Sequence, residues 1–550
     1  MAEQSETGQR ESNKQFLLRQ GCGGQYIFFA RMIVILLGLM LLSRDINAWF
    51  TGWREDTSAL YGAFAHNHAR YGFGYTKLFH TYGTTINPPA KPERYLNNPP
   101  LLSVWVALPM LIFGDHEWVI RSVSIAATLG SVWILMVIIS RLQSPVLGLL
   151  TGFFYVMLPV TAYFGRVVEY PSATQFFSLL MLHGYLQWTG FYGNGYSRKA
   201  GAAYYVLGVV LGTGTGWAAA IMAALIWGWH IFRAFYNRSL SRYLPWLTVI
   251  PVLSLAAVMV HILWGCGWKA GWLGSLLSSR VVGPEKAISW AEWFSYNWGY
   301  LRLNVSWFGI AATVIYLVIV PAILLYTVSD SPLRQVVRNG AAVIPIFLTA
   351  LQGLIWTVVF NYESCVHDYW QYFSSPFFAA AMAAIVFAAF TFFSIWTPRS
   401  AAIIAVLLVL LPAVSFVRLL EISYQIGKAG SAYNIGVYNL VSMLMRLNRY
   451  VPPNAAVMVS ENYESSQHIG DLTGYKMVAQ AAYYANRPLI YSTDVNEIDA
   501  NRRQCAAYVL KLTKEPNTLL LAQELAGKYK LAGRERDYLI FLLNPHSAGE

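Results

Sequence analysis

Stretch after stretch of this chain is apolar for close to the length that a bilayer requires. Phe28 to Leu42, Val146 to Pro159, Ala311 to Leu325 and Ala401 to Leu411 are nearly free of charge. With their flanks they approach the roughly 20 residues a helix needs to cross the hydrocarbon core. Of the 550 residues, 56% are hydrophobic and only 12% are charged; a soluble domain averages about 25% charged. In lipid the backbone must satisfy its own hydrogen bonds, so such runs fold as helices. The sequence specifies a polytopic helical membrane protein.

Eleven spans are expected, near residues 26–43, 119–140, 145–163, 171–189, 202–214, 217–235, 245–264, 303–326, 342–361, 373–395 and 400–418. The fifth is short and ends in Gly212-Thr213-Gly214-Thr215-Gly216, which suits a tight turn between two packed helices. Pro99 to Gly114 is ambiguous between a span and an interfacial segment. The interfacial option collects Arg141, Arg198, Lys199, Arg233, Arg238, Arg242, Arg334, Arg338 and Arg399 on the side of the basic N-terminus. Loop charge bias sets orientation, so that side is expected to be cytoplasmic. The expected organisation is a cytoplasmic segment 1–25, a membrane domain 26–420 whose first outer loop covers 44–118, and an outer domain 421–550. The first span is expected to be a retained helix, because no small-residue cleavage site follows a short apolar segment.

The loop Gly265 to Leu301 holds or borders Trp264, Trp268, Trp272, Trp290, Trp293 and Trp298. Tryptophan favours the headgroup level, so interfacial helices are expected there. In the tail, apolar runs shorten to strand length at Ala455–Ser460, Leu489–Tyr491, Tyr508–Leu510 and Tyr538–Leu542, with a helical segment at Leu519–Tyr529. Alternating strand and helix implies a small α/β domain. The net charge of +12 reads as loop asymmetry, with membrane lipids rather than nucleic acid as the partner. Cys22, Cys266, Cys365 and Cys505 are too scattered for a zinc motif or a disulfide framework. Free thiols are expected, with a bridge among the last three left open.

Three polar clusters fall on the expected outer side. They are Arg54-Glu55-Asp56 after the first span, Arg166 to Glu169 in the next outer loop, and His367-Asp368-Tyr369 before the tenth span. Any one of them alone reads as a solvated loop; three near helix ends on one side point to a shared cleft. A carboxylate can take a proton from an attacking hydroxyl, and cationic groups can stabilise a departing phosphate. The cationic candidates are Arg166, Lys269, Arg280, Lys286, Arg302 and His367.

The order of these motifs resembles the GT-C glycosyltransferases, in particular the protein O-mannosyltransferase-like superfamily that includes lipid A aminoarabinose transferases. Arg54-Glu55-Asp56-Thr57 with Ala65-His66-Asn67 and Gly72 is similar to that family's first-loop motif. Asn97-Asn98-Pro99-Pro100-Leu101, Phe113-Gly114, Glu117 and Arg121 resemble its following segment. Arg166 to Pro171 and His367-Asp368-Tyr369-Trp370 with Pro376 resemble its second and late loop motifs. The resemblance covers roughly residues 30–380.

It implies a GT-C bundle of about eleven helices and transfer of a sugar from a polyprenyl-phosphate donor to a lipid, glycan or protein acceptor, with inversion. Asp56 matches the catalytic base and Glu169 the second acid. His367 and Tyr369 match donor-phosphate positions. Arg54, Glu55, Asn97, Asn98, Arg166, Lys269, Arg280 and Arg302 complete the substrate-binding candidates. Where the lipid A transferases carry Glu followed by a basic residue, this chain has Asn97 and Asn98. Where many relatives read Thr-Lys-Gly, it has Gly214-Thr215-Gly216. No cofactor is implied; a divalent metal is left open, since some GT-C enzymes use one and others do not.

Competing readings remain at single residues. Glu55 rivals Asp56 as the base, Arg54 could be an interfacial anchor, and Glu169 could cap the helix that follows it. His66 and His68 read as interfacial polar residues rather than metal ligands. The alternative function is a transporter or lipid flippase. That class places charges at the bilayer midplane or breaks helices in matching halves, and the spans here are almost uncharged. A non-catalytic scaffold would leave the three clusters unexplained.

Overall fold

A computed structural model of the protein describes residues 25–81, 92, 94–193, 195–236, 238, 242–268, 271, 288–326, 344–394, 397–428, 432–452, 455–461, 479–485, 487 and 489–543. Residues 1–24 of the expected cytoplasmic segment, Lys269, Arg280, Lys286, Arg334 and Arg338 lie outside the described residues, as do 269–270 and 272–287 of the tryptophan-rich loop.

The N-terminal helix α1 (Gln25–Leu42) leads to α2 (Glu55–Tyr71) and the short α3 (Phe73–Thr76). A two-residue antiparallel pairing, β1 (His80–Thr81) with β2 (Arg94–Tyr95), closes this polar segment. The bundle follows with α4 (Leu101–Phe113), α5 (Glu117–Leu142), α6 (Pro145–Met157), α7 (Pro159–Phe164), α8 (Tyr170–Trp188), α9 (Arg198–Thr215), α10 (Ala218–Tyr236) and α11 (Leu244–Gly265). It ends with α12 (Trp290–Tyr326), α13 (Ile344–Val359), α14 (Asn361–Val366), α15 (Ser375–Ser394) and α16 (Pro398–Lys428). Helices stand at each of the eleven expected positions, and seven described helices are long and apolar enough to cross a membrane. The chain is a polytopic integral membrane protein.

The structure revises several boundaries. The span expected at 145–163 is two helices, broken at Leu158, whose φ of −55° and ψ of 129° leave the helical region. Pro159 explains the break: proline lacks the N–H, and the residue before it is pushed out of the α region. The helix expected at 303–326 begins earlier, at Trp290, and carries a break at Ser306 (φ 68°, ψ 166°). α16 runs through Lys428, so residue 421, where composition changes, lies inside a helix.

α8 and α9 meet at backbone distance. A Cβ on Gly184 would lie 2.2 Å from the Tyr205 nitrogen, and one on Gly208 would lie 2.5 Å from the Met181 nitrogen. Small residues permit this approach in bundles where lipid offers no hydrophobic drive for helix association.

The tail begins with α17 (Ala432–Arg446) and builds a five-stranded sheet. Its strands are β3 (Val457–Val459), β4 (Leu489–Tyr491), β5 (Ala507–Lys511), β6 (Lys530–Glu535) and β7 (Tyr538–Leu542), in the order β4-β3-β5-β7-β6. β3 is parallel to β4 and β5, whereas β5, β7 and β6 pair antiparallel. Helices α18 (Ala479–Tyr484), α19 (Val495–Asn501) and α20 (Pro516–Lys528) connect the strands. The sequence reading missed β6, whose residues alternate weakly and include Gly533 at a register shift. α18 seats the tail on the membrane domain. Tyr483 donates to Asp115 at 2.8 Å, Tyr484 donates to Glu117 at 3.1 Å, and the Phe50 N–H donates to the Tyr484 hydroxyl at 2.8 Å.

Candidate active site

The three polar clusters of the sequence come together where α2, the loop before α8 and the loop before α15 meet. Arg54 precedes α2 in the left-handed backbone region, at φ 60°. Glu55 and Asp56 follow in the first helical turn, where the exposed N–H groups and the helix dipole favour negative charge.

Adjacent positions on a helix point about 100° apart, and here the two acids part. Glu55 faces inward and is 1% exposed. Arg121 Nη2 donates to its Oε2 and Arg166 Nη2 to its Oε1, each at 2.7 Å. Arg121 also donates to the carbonyls of Ile46 and Ala48 at 2.7 and 2.6 Å, and Arg166 to that of Arg44. Glu55 is thus closed off between two buried guanidinium groups that hold the 44–48 turn. Asp56 is half-buried on the other side of the turn, close enough to Glu169 and Arg54 to act electrostatically on both.

Arg54 reaches across to the late loop, where its Nε donates to the buried Asp368 at 3.0 Å and its Nη2 to the carbonyl of Val366. Burial raises the Asp368 carboxyl above its ordinary value, and Arg54 offsets part of the rise. The second loop is pinned to α2 by the Val168 N–H, which donates to the Ser58 hydroxyl at 2.9 Å. Glu169 follows directly. It occupies the N-cap position of α8 in extended backbone without making a side-chain cap bond, and its Oε2 is buried with no partner among the described residues. Burial pushes its carboxyl up to about 7; Asp56 adds to the rise, while His367, Tyr369 and Arg54 oppose it. An uncompensated carboxyl in a low-dielectric site behaves in this way.

His367 sits between two partners. Its Nε2 lies 3.1 Å from Glu363 Oε2, and its Nδ1 lies 2.9 Å from the Tyr369 hydroxyl. The ring stacks on Trp370 with centroids 5.4 Å apart. The Tyr369 hydroxyl is buried and also interacts with Glu169. Both imidazole nitrogens are therefore engaged by protein groups.

Asn97 is buried, accepts from Trp217 Nε1 at 2.9 Å through its carbonyl, and leaves both side-chain polar atoms without partners among the described residues. Asn98 donates to the Tyr61 hydroxyl at 2.9 Å, and Tyr61 in turn senses Glu169. Arg302 is exposed on α12 with its guanidinium over Trp307. Other α12 residues, among them Asn297, Tyr300 and Asn304, hydrogen-bond the late loop. His68 bonds Thr76 and Ser103, and His66 pairs with Asp115 at 3.2 Å. Among the described residues no group of three His, Cys, Asp or Glu is arranged to hold a metal ion. Cys266, Cys365 and Cys505 are free and buried.

The sequence matches no protein-family profile and no curated protein sequence. Solved structures do resemble it. ArnT from Cupriavidus metallidurans, solved bound to undecaprenyl phosphate, aligns with a TM-score of 0.61 at 11% identity, covering 94% of this chain and 99% of that one. The chain has the GT-C fold. AglB, an archaeal oligosaccharyltransferase from Archaeoglobus fulgidus solved with an inhibitory peptide and a dolichol-phosphate, aligns with a TM-score of 0.55 at 12% identity, over 88% of this chain and 69% of its own. A likeness at such identity establishes architecture alone.

Three members of the cluster escaped the sequence reading as site residues. Arg121 and Asp368 were visible only as parts of motifs, and their pairings with Glu55 and Arg54 are tertiary. Glu363 had a usable signal, since it lies four residues before His367, the spacing of neighbours on one helix face. Reading 362–372 as loop hid that helix.

Proposed function

We propose that this chain is a membrane glycosyltransferase that moves a sugar from a polyprenyl-phosphate-linked donor to an acceptor hydroxyl on the outer side of the membrane. The observation that carries the reading is the meeting of Asp56, Glu169 and the Arg54–Asp368 pair on a GT-C fold. Structures of that fold have been solved with undecaprenyl phosphate and with a dolichol-phosphate. The proposed topology places residues 1–25 in the cytoplasm and the tail that follows α16 outside.

In the proposed reaction the acceptor oxygen attacks the anomeric carbon. The bond from that carbon to the phosphate oxygen breaks, its electron pair leaves with the lipid phosphate, and the configuration inverts. Asp56 takes the acceptor's proton, since Glu55 has both oxygens committed to arginines. Glu169, buried and near neutral in affinity for a proton, orients the acceptor and shares that proton. Arg54 acts electrostatically on both acids and takes the donor-phosphate role. Lys269, Arg280 and Arg302 remain candidates for the lipid-phosphate path.

The test is sugar incorporation from a radiolabelled polyprenyl-phosphate sugar pool, in membranes holding matched amounts of wild type and Asp56→Asn. Incorporation by wild type that is lost in the variant supports the reading and places the base. No incorporation above vector, with the donor shown to be present, refutes it.

A further inference from the structure

One stretch of the chain carries charge of a single sign. Between Glu169 and Glu285 there is no aspartate or glutamate, so α8 to α11 and the turns joining them hold cations with no carboxylate of their own. Three of those cations meet where the C-terminal ends of α8 and α10 come together with the N-terminal ends of α9 and α11. Tyr243, the N-cap residue of α11, gathers two of them. Its hydroxyl accepts from Arg198 Nη1 at 3.4 Å and from Arg242 Nη2 at 3.1 Å, so two guanidinium groups converge on a single oxygen. The Tyr243 ring packs edge-on against Trp188 with centroids 5.4 Å apart. Arg233 joins from α10, its guanidinium 3.9 Å over the Phe191 ring just past the end of α8. None of the ion pairs among the described residues includes Arg198, Arg233 or Arg242.

Like charges brought to one neutral hydroxyl repel each other. Loop charge bias accounts for the side on which these arginines lie, but arginines spread apart would serve that bias as well. Their convergence suits an anion with several acceptor oxygens, which guanidinium forks match bidentately.

The position indicates what the anion belongs to. α8 carries Glu169 at one end and Trp188 at the other, and its 19 residues span roughly 28 Å at about 1.5 Å each, close to the roughly 30 Å of a hydrocarbon core. The arginines therefore stand at the headgroup level of the face opposite the candidate active site. Beside them Phe232 and Phe235 on α10 and Trp246 on α11 are exposed, an apolar flank on which acyl chains can lie. A soluble phosphate has no use for such a flank.

We propose that Arg198, Arg233 and Arg242 form a binding site for the headgroup phosphate of an anionic phospholipid, with its acyl chains along Phe232, Phe235 and Trp246. The phosphate supplies the counter-charge that this acid-free stretch lacks, and basic pockets between membrane helices hold anionic headgroups in this way. Bound there, the lipid ties the ends of four helices together. Its binding does not depend on transfer chemistry at the other face.

The test is native mass spectrometry of the full-length chain in nonionic detergent, titrated with dioleoylphosphatidylglycerol, with dioleoylphosphatidylcholine and with glycerol 3-phosphate. Wild type is expected to retain phosphatidylglycerol in preference to the other two. Arg198→Gln and Arg242→Gln are each expected to weaken that binding roughly fivefold, the worth of one basic side chain at an anionic surface. Arg242→Lys keeps the charge and loses the fork; it is expected to weaken binding by a smaller factor, and it decides the matter if the glutamine variants do not fold. Arg399→Gln removes the same charge from an exposed position at the start of α16 and is expected to leave binding unchanged. A loss in Arg399→Gln equal to that in the cluster variants would mean general charge attraction and overturn the site. Phosphatidylglycerol binding that no folded cluster variant weakens, or that phosphatidylcholine equals, would overturn it too. Glycerol 3-phosphate that displaces the lipid at equal concentration would overturn the lipid assignment in favour of a soluble phosphate.

Discussion

Glu55→Gln and Asp56→Asn are the same chemical change at neighbouring positions, and the structure separates their outcomes. Removing one partner of a buried ion pair costs about 3–5 kcal/mol, because the other charge is left uncompensated. Glu55 neutralises two such partners, Arg121 and Arg166, each at 2.7 Å. Glutamine keeps one acceptor oxygen but turns its amide N–H groups toward the second guanidinium, donor against donor. Neither arginine has slack to absorb this. Their Nη1 atoms already serve the Arg44, Ile46 and Ala48 carbonyls, and their Nε atoms have no partner among the described residues. Scaled to a chain of this length, the loss lowers a cooperative melting midpoint by roughly 3–5 °C. Asp56→Asn touches no such pair, so its stability should stay within about 0.5 kcal/mol of wild type. Its transfer rate should fall by about 10²–10⁴, the usual contribution of a positioned base. Fluorescence-detected melting in detergent and sugar incorporation in membranes, run on both variants, read the two axes independently. A Glu55→Gln protein that melts like wild type, or an Asp56→Asn protein that melts as early as Glu55→Gln, would refute this division.

Further outcomes follow from other parts of the site and fold. The Glu169 carboxyl is raised from 4.5 to about 7, so the folded state binds its proton more tightly than the unfolded state does. The stability this contributes is complete below about pH 4.5 and is lost as pH rises through 7, a difference of about 3 kcal/mol. The wild-type melting midpoint should therefore fall between about pH 4.5 and 7, and Glu169→Gln should flatten that fall; equal slopes would count against the burial of this carboxyl. Gly184→Ala should weaken the α8–α9 contact by about 1–3 kcal/mol. Its Cβ would meet the Tyr205 nitrogen at 2.2 Å and the Gly201 carbonyl at 2.7 Å, backbone atoms that cannot turn aside. Unchanged detergent stability in that variant would contradict the close packing. Arg54→Gln strips the buried Asp368 of its cation, so the Asp368 carboxyl should move further up, as ¹³C-aspartate shifts would show. An unmoved signal would mean the pair is not formed.

What could be read in advance, and what could not, divides along the range of the interactions. Helix positions were legible because bilayer length and apolarity are local properties. The 145–163 span failed because hydropathy was allowed to outweigh Pro159, itself a local signal of a break. The three polar clusters were legible as candidates by their places beside helix ends. Which acid in Arg54-Glu55-Asp56 faces inward was not, because it is decided by guanidinium groups 66 and 111 residues away. A helical turn offers two directions, and the pair of buried arginines claims the one occupied by Glu55; Asp56 is then the only acid of the turn left facing Glu169. The same reasoning explains His367. Its sequence suggests a free cation for phosphate, but Glu363 and Tyr369 occupy both of its nitrogens. A histidine held at both ends can meet an anion only by giving up one of those contacts. Arg54, tethered to Asp368 but 28% exposed, is for that reason the described cation proposed for the donor phosphate.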